Sequence, residues 1–433
     1  MPKTIGIVGM GYVGLTLTAA LARSGYVVHG VDVQPAVLES LSRGRPHIYE
    51  PGVEEVFAEE IDRSIFVDSQ LPAGIDAAVI CVSTPVDEHT RRPNLTNLAA
   101  AAREVAQWCG PQTLVVVRST VPVGTSRRIV LPELESVWGS ARLVMAPERT
   151  IQGQALRELV ELPQVVGGLD AASLDAGLDL FGGLAHQLTP VSTLEAAELV
   201  KLANNCHTDL IYAFGNELAL MAEEHGLDPL EVIGAANLDY PRPDLSKPGY
   251  VGGGCLSKDP HIMMNSSQTR VPFLVGAARR LNEYLPVHVA NAVVEMVRTD
   301  RGGEARGGRL AVLGWAYKGW PPTDDMRGTP IATMMPVFTE AGLTVLGHDP
   351  LVSDDVIRQY GGEPVSLERA FGEVDGVLII TDHPEYRSLK AATVLNGGRP
   401  RFVFDSWRVL DEQSLATAGV RYASIGYRPG RTP

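Results

Sequence analysis

Residues 9–14 read Gly-Met-Gly-Tyr-Val-Gly, and they stand between an apolar run, residues 4–8, and a helix-like pattern that continues to Arg23. A strand that turns directly into a helix through spaced glycines restricts what can follow. Gly9 permits the tight turn, Gly11 lets backbone N–H groups approach a pyrophosphate at the helix N-terminus, and Gly14 lets helix and strand pack closely. The next strand-like run, residues 27–31, is closed by Asp32. A carboxylate there accepts hydrogen bonds from both adenosine ribose hydroxyls and repels a 2′-phosphate, so NAD is expected rather than NADP. Taken singly, the glycines also make an ordinary turn and Asp32 an ordinary solvated strand end. Their order favours the dinucleotide.

Further strand-like runs at residues 77–82, 114–118 and 142–146 alternate with helix-like stretches, the βαβ pattern of a parallel sheet. From Ser192 the pattern changes to a long helical run reaching Glu224, opened by Ser192-Thr193-Leu194-Glu195, which has the spacing of a capping box. A Pro/Gly-rich stretch over residues 240–254 interrupts it, and a second helical run covers residues 272–297. After a Gly-rich, charged linker at residues 299–308, strand-like runs return at 310–313, 343–347, 377–381 and 402–404. The expected architecture is α/β, with two Rossmann-like doubly wound domains joined by a central helical domain: residues 1–191, 192–300 and 301–433.

At 433 residues the chain exceeds a single hydrophobic core. No window approaches the roughly 18 apolar residues of a membrane helix. The first strand begins too early to leave room for a secretory leader, so the expected location is the cytoplasm. A formal charge of −14 disfavours nucleic acid and anionic membrane as partners. The four cysteines, Cys81, Cys109, Cys206 and Cys255, form neither a disulfide framework nor a metal pattern, and no metal site is expected.

One cysteine stands apart. Cys255 follows Gly252-Gly253-Gly254 and precedes Leu256-Ser257-Lys258-Asp259-Pro260; the glycines allow close approach, and Lys258 with nearby helix N-termini would favour the thiolate. Asp259 before Pro260 reads equally as a helix start. Lys201 and Asn205 share one helix face. Ser119-Thr120-Val121-Pro122-Val123-Gly124 and Pro147-Glu148-Arg149-Thr150 each follow a strand, where parallel sheets bind ligands, and each also suits an ordinary polar loop.

In this order the glycine turn, Cys81-Val82-Ser83-Thr84-Pro85, the Ser119 and Pro147 segments, residues 198–205, residues 252–259 and residues 314–330 resemble the UDP-glucose/GDP-mannose dehydrogenase family along essentially the whole chain. The resemblance implies two successive oxidations of a nucleotide sugar at C6, alcohol to aldehyde to acid, with two NAD. Cys255 matches the nucleophile that forms a thiohemiacetal and then a thioester. Lys201 and Asn205 match the groups that stabilise charge on the C6 oxygen, and Thr120, Glu148 and Asp259 those that organise water and transfer protons. Gly9, Gly11, Tyr12, Val13, Gly14, Asp32, Thr84, Pro85 and Thr120 would contact NAD. Glu148, Arg149, Lys201, Asn205, Arg242, Gly252, Lys318 and Arg327 would contact the substrate, Arg242 from a neighbouring subunit; Arg408 is a weaker candidate of the same kind. Many of the family's glucose-type members carry PEFxxEG where this chain has Pro147-Glu148-Arg149-Thr150-Ile151-Gln152-Gly153, so Gln152 replaces a second acid. That segment and Lys247-Pro248-Gly249 are more similar to the branch acting on UDP-N-acetylhexosamines, with UDP-glucose next. Alternatives are a dTDP- or GDP-sugar dehydrogenase, a two-electron hydroxyacid-type dehydrogenase, which needs no cysteine, and a noncatalytic NAD-binding protein. The helical middle has too few elements to cover its apolar faces, so a homodimer is expected.

Overall fold

The computed structural model describes residues 3–241, 243–269, 272–372, 374–389 and 400–428. It divides into two compact units, Met1–Asn205 with His261–Val271, and Cys206–Pro260 with Pro272–Pro433. The boundary falls inside the long helix Leu194–Glu224.

The first unit contains strands β1 (Thr4–Val8), β2 (Val27–Val31), β3 (Ile65–Asp68), β4 (Ala77–Ile80), β5 (Leu114–Val117), β6 (Arg142–Met145), β7 (Gln164–Gly168) and β8 (Leu188–Val191). They form one sheet in the order β3-β2-β1-β4-β5-β6-β7-β8, parallel throughout except for β7 against β6. Strands β4 and β5, Ala-Ala-Val-Ile and Leu-Val-Val-Val, are buried at every position because helices cover both faces. Alternate residues feed different cores: Ile5, Ile7, Val79 and Val116 pack on one face, and Val8, Ile80, Val115 and Val117 on the other. The strand order reverses between β1 and β4, which opens a crevice at their carboxyl ends.

The second unit carries a smaller sheet: β9 (Arg309–Leu313), β10 (Thr344–His348), β11 (Glu363–Pro364), β12 (Gly376–Ile379), β13 (Phe402–Asp405) and β14 (Arg421–Ala423), ordered β11-β10-β9-β12-β13-β14 and parallel throughout. The chain is thus α/β with two Rossmann-like sheets and a helical region between them in sequence. That region holds Leu194–Glu224 and Phe273–Asp300. The first helix is capped one residue later than the sequence suggests: Thr193 Oγ1 accepts from Ala196 N at 3.1 Å, and Glu195 instead pairs with Arg127 at 2.7 Å. No helix among the described residues is long and apolar enough to cross a membrane.

Candidate active site

The glycine turn has the three separate conformations its sequence requires. Gly9 lies at φ +93°, and its N–H donates to Val31 O at 2.9 Å, which closes the turn against β2. A Cβ at Gly14 would collide with the carbonyl oxygen of Gly9, whereas one at Gly11 would meet nothing within 4 Å. Gly11 precedes the helix Tyr12–Arg23, offers it no side-chain cap and has open space beside it. Asp32 closes β2 and accepts from Met10 N (2.8 Å) through one oxygen and Gln34 N (2.9 Å) through the other. A carboxylate has about four acceptor directions, so capacity for two hydroxyls is left. Thr84 follows β4 in the crevice, buried, with Oγ1 lacking a partner in the protein. An open helix terminus, a carboxylate with spare lone pairs and an orphaned hydroxyl fit a dinucleotide. Tyr12 and Val13 open the helix half-buried, with the Tyr12 hydroxyl donating to Glu50 at 2.8 Å; Pro85 is exposed.

Beyond β5 and β6 the same sheet edge is charged and buried. Glu148 is paired with Arg118 at 2.6 Å, and its other oxygen accepts from Arg149 N (2.8 Å) and Thr150 N (2.7 Å). Burial pushes the Glu148 carboxyl up, but Arg118, the Thr150 N–H and then the Lys201 charge outweigh it, leaving the group at about 2. Lys201 and Glu148 are therefore brought together; Lys201 is buried and Asn205 half-buried on the long helix. Thr120 is half-buried in the loop after β5. The end of that loop is held by Glu198, which accepts from Gly124 N and from Ser126 N at 2.8 Å. Arg149 donates to Pro163 O at 3.1 Å.

In the second unit Cys255 sits in a single helical turn, Gly253–Leu256, and is the exposed member of the four cysteines. Burial pushes Cys81 and Cys206 up to about 12 and Cys109 to about 11, so those three remain inert thiols. The cation beside Cys255 is Arg327, not Lys258. The Lys258 ammonium is engaged by buried Asp259 at 2.7 Å, while Arg327 interacts electrostatically with Cys255 and is gripped by Asp325 (Nη2 to Oδ2 2.6 Å). The glycines admit this approach: a Cβ at Gly254 would lie 2.6 Å from Arg327 Cζ, one at Gly253 2.7 Å from the Tyr317 ring, and one at Gly252 would strike the Gly328 carbonyl. Lys318 Nζ lies 5.5 Å from the Tyr317 ring centre, so Lys318, Arg327 and Gly252 are gathered around one loop. Arg408 forms a two-point pair with Asp228 (2.7 and 2.6 Å) and stacks on Tyr427. Arg242 lies outside the described residues.

Three family models cover the chain in sequence: the NAD binding domain of the UDP-glucose/GDP-mannose dehydrogenase family over residues 3–184, its central domain over 195–284, and its UDP binding domain over 311–412. The UDP-N-acetyl-D-mannosamine dehydrogenase of Pyrococcus horikoshii is 30% identical over 98% of this chain and 99% of its own length. The chain belongs to the UDP-glucose/GDP-mannose dehydrogenase family. The solved structure of UDP-D-ManNAc dehydrogenase from that organism superposes with a TM-score of 0.88, covering 98% of this chain and 99% of that one. A UDP-glucose dehydrogenase of Pyrobaculum islandicum, 28% identical, gives 0.83 over 99% and 98%. As a member of the UDP-glucose/GDP-mannose dehydrogenase family the protein is an NAD-dependent oxidoreductase.

Within this family fold, several residues that build the site escape a reading of the sequence. Arg118 looks like the last residue of an apolar strand; a charge closing a Leu-Val-Val-Val run is the signal that it is buried for a purpose. Arg279 is one of two adjacent arginines in a helix, yet it is 3% exposed and donates to Asp209 (2.8 Å), Leu256 O (2.8 Å) and Val251 O (3.4 Å). With Asn216, which accepts from Gly249 N at 2.8 Å, it fastens the loop that carries Cys255 to the helices beneath. Glu50 accepts from Tyr12, Gly153 N (2.6 Å) and Ala155 N (2.7 Å), joining the glycine-turn helix to the segment after Glu148. These partners are far apart in sequence, so no spacing announces them.

Proposed function

We propose that the protein oxidises the C6 alcohol of a UDP-hexose to the carboxylate in two steps, through a covalent adduct on Cys255. The observation that carries this reading is the contrast among the cysteines. Cys81 and Cys206 are buried, Cys109 is half-buried, and burial raises all three thiols; Cys255 alone is exposed, in a glycine loop under the charge of Arg327. NAD, when bound at the glycine turn, supplies the hydride acceptor for each oxidation. The first oxidation leaves an aldehyde at C6. Cys255 Sγ then forms a C–S bond to that carbon as the thiol's proton passes to the C6 oxygen, and loss of that hydroxyl proton together with the remaining C6 hydride turns the hemithioacetal into a thioester. Water cleaves the thioester, and the thiol returns as the acid leaves. Lys201 and Asn205 stabilise the negative charge that develops on the C6 oxygen, and Thr120 and Asp259 order water and move protons. Glu148, already ionised at any working pH and with both oxygens taken up by N–H groups, serves as a fixed anion beside Lys201 rather than as a proton donor.

Arg149, Gly252, Lys318, Arg327 and Arg242 are assigned to the substrate, with Lys318 and Arg327 as the cations that an acidic protein needs for a diphosphate. An acetamido sugar is favoured by the Pro147-Glu148-Arg149 segment and by the likeness to the mannosamine enzyme; UDP-glucose is the second choice. We assign residues 1–191 to NAD, 192–300 to dimerisation and 301–433 to the nucleotide sugar. A homodimer is supported by exposed apolar side chains on the middle helices, Phe214 and Met221 on one and Phe273 on the next. Light scattering tests that: a concentration-independent monomer overturns it.

The test of the reaction is NADH stoichiometry on UDP-N-acetylmannosamine, UDP-N-acetylgalactosamine, UDP-glucose and GDP-mannose. One sugar of the first three should give two NADH and an acid, without free aldehyde. Cys255→Ala should lower acid formation by roughly three orders of magnitude or more while NAD affinity holds. Two NADH per sugar at the wild-type rate in that variant would show the cysteine to be structural.

A further inference from the structure

We propose that Arg118 is a positioning residue of this reaction, holding the Glu148 carboxylate in one orientation and one charge state and thereby keeping its protonation out of the pH range in which the enzyme works. The inference rests on the preceding assignment of Glu148 to the site. It goes beyond that assignment in locating the control of Glu148 in a side chain that touches no substrate.

Arg118 is 1% exposed, and almost every donor of its guanidinium is committed. Nε and Nη2 both donate to Glu148 Oε2, at 3.1 and 2.6 Å, while Nη1 donates to Ala146 O at 3.1 Å and Gln164 Oε1 at 3.0 Å. The opposite oxygen, Oε1, takes the N–H groups of Arg149 and Thr150. Four N–H bonds on two oxygens leave the carboxylate no freedom to rotate. The sheet explains how three separate strands reach one point. Arg118 and Ala146 directly follow β5 and β6, and Gln164 opens β7; because β7 runs antiparallel to β6, its first residue lies at their carboxyl edge. The guanidinium also stacks 5.6 Å from the Phe181 ring centre, which closes it off from water.

The charged and titratable groups that face Glu148 come from three elements: Arg118 from the end of β5, Lys201 from the long helix, and Cys81 from the end of β4. Cys81 is pushed up to about 12 by burial and stays neutral, so it contributes no compensating charge. Of the two cations, Arg118 is the stronger influence and Lys201 the weaker. Without the guanidinium, burial is opposed mainly by N–H bonds and Lys201, and the carboxyl rises toward the pH at which the enzyme works. A neutral Glu148 can no longer accept from all four N–H groups and no longer balances Lys201.

The experiment compares the pH dependence of kcat for the wild type, Arg118→Gln and Arg118→Lys as full-length enzymes, with melting curves to establish folding. Arg118→Gln should move the acid limb upward by at least about one pH unit. Arg118→Lys keeps the charge but loses the fork, so the limb should stay in place while kcat falls about tenfold through misorientation, with KM for NAD unchanged. A folded Arg118→Gln enzyme with the wild-type kcat and acid limb overturns the proposal. Where Arg118→Gln does not fold, Arg118→Lys decides: wild-type kcat overturns the proposal, and the predicted split between kcat and limb sustains it. Failure of the underlying reading looks different, since the wild type itself then makes no acid from any nucleotide sugar.

Discussion

The two sheets begin with the same device and use it differently. Each first strand is followed by a glycine of positive φ, Gly9 at +93° and Gly314 at +86°, whose N–H donates to the end of the neighbouring strand at 2.9 Å. Each neighbouring strand is followed by an aspartate that reaches back to the turn: Asp32 to Met10 N at 2.8 Å, and Asp349 to Trp315 N at 2.5 Å. There the likeness ends. Asp32 accepts one N–H per oxygen, whereas Asp349 also takes Ala316 N (3.2 Å), Leu351 N (2.8 Å) and Val352 N (2.9 Å), which saturates it. Gly11 leaves open space before an uncapped helix. Its counterpart region is filled by Trp315, fully buried, and the following helix Pro330–Glu340 is capped by the Thr329 hydroxyl. A second-strand acid with spare lone pairs beside an uncapped helix is thus found in the first sheet and not in the second. The second unit instead packs Tyr317 and Arg327, from the loop before Pro330, against Gly253 and Gly254 beside Cys255.

The sharpest way to break this comparison is at the glycines. Gly14→Ala drives a methyl into the Gly9 carbonyl and should cost about 3 kcal/mol of stability together with NAD binding, because backbone cannot move aside as a side chain can. Gly11→Ala enters open space; it should leave the melting temperature alone and raise KM for NAD about tenfold. Equal stability losses in the two variants would show that the turn is packed throughout, with no space kept for a ligand.

The two aspartates should separate next. Asp349→Asn leaves at least one buried N–H without its acceptor and should cost about 2 kcal/mol of unfolding free energy, with KM for NAD unchanged. Asp32→Asn should change stability by less than about 1 kcal/mol but reduce the preference for NAD over NADP by about tenfold or more. If both variants behave alike in a melting curve and a cofactor titration, counting acceptors is not a guide to function.

The same contrast shows what the sequence can convey. The strands whose residues alternate between two cores, such as β1, or fill both, such as β5, are plain in the pattern, as is the glycine turn that follows β1. Strands β7 and β8 are not: Gln-Val-Val-Gly-Gly and Leu-Thr-Pro-Val carry glycine or proline, and their strand form is imposed by pairing across the sheet. The motif residues Gly9, Gly14, Asp32 and Cys255 announce themselves because local chemistry fixes the residue type. Arg118 and Arg279 do not, since each is defined by carbonyls and carboxylates that folding brings from other elements. Lys258 misleads for the same reason. Adjacency to Cys255 suggests a cation for the thiol, while the ammonium turns to Asp259 and the distant Arg327 takes that place.

The smallest effect expected separates the two units by the sign of a pH dependence. Glu148 in the first unit is held at about 2, below the ordinary 4.5, chiefly by Arg118 acting against burial. A depressed carboxyl stabilises the fold at every pH above its unfolded value, and that contribution fades only as pH falls from about 4.5 toward 2. Asp405 in the second unit is the reverse case: burial raises it, and the N–H groups of Leu410 and Trp407 and the Tyr422 hydroxyl only partly offset this. A raised carboxyl binds its proton more tightly folded than unfolded, so its contribution is complete below the unfolded value and is lost as pH rises through the folded one. The wild type should therefore gain on Asp405→Asn as pH is lowered from 7.5 to 5, because only the aspartate takes up a proton. Against Glu148→Gln its advantage should stay level over that interval and shrink only in stronger acid. Melting temperatures of the three proteins at pH 7.5, 6 and 5 decide the matter. A gap to Asp405→Asn that stays constant or narrows over that interval would mean that its three hydrogen bonds, and not burial, govern the Asp405 carboxyl.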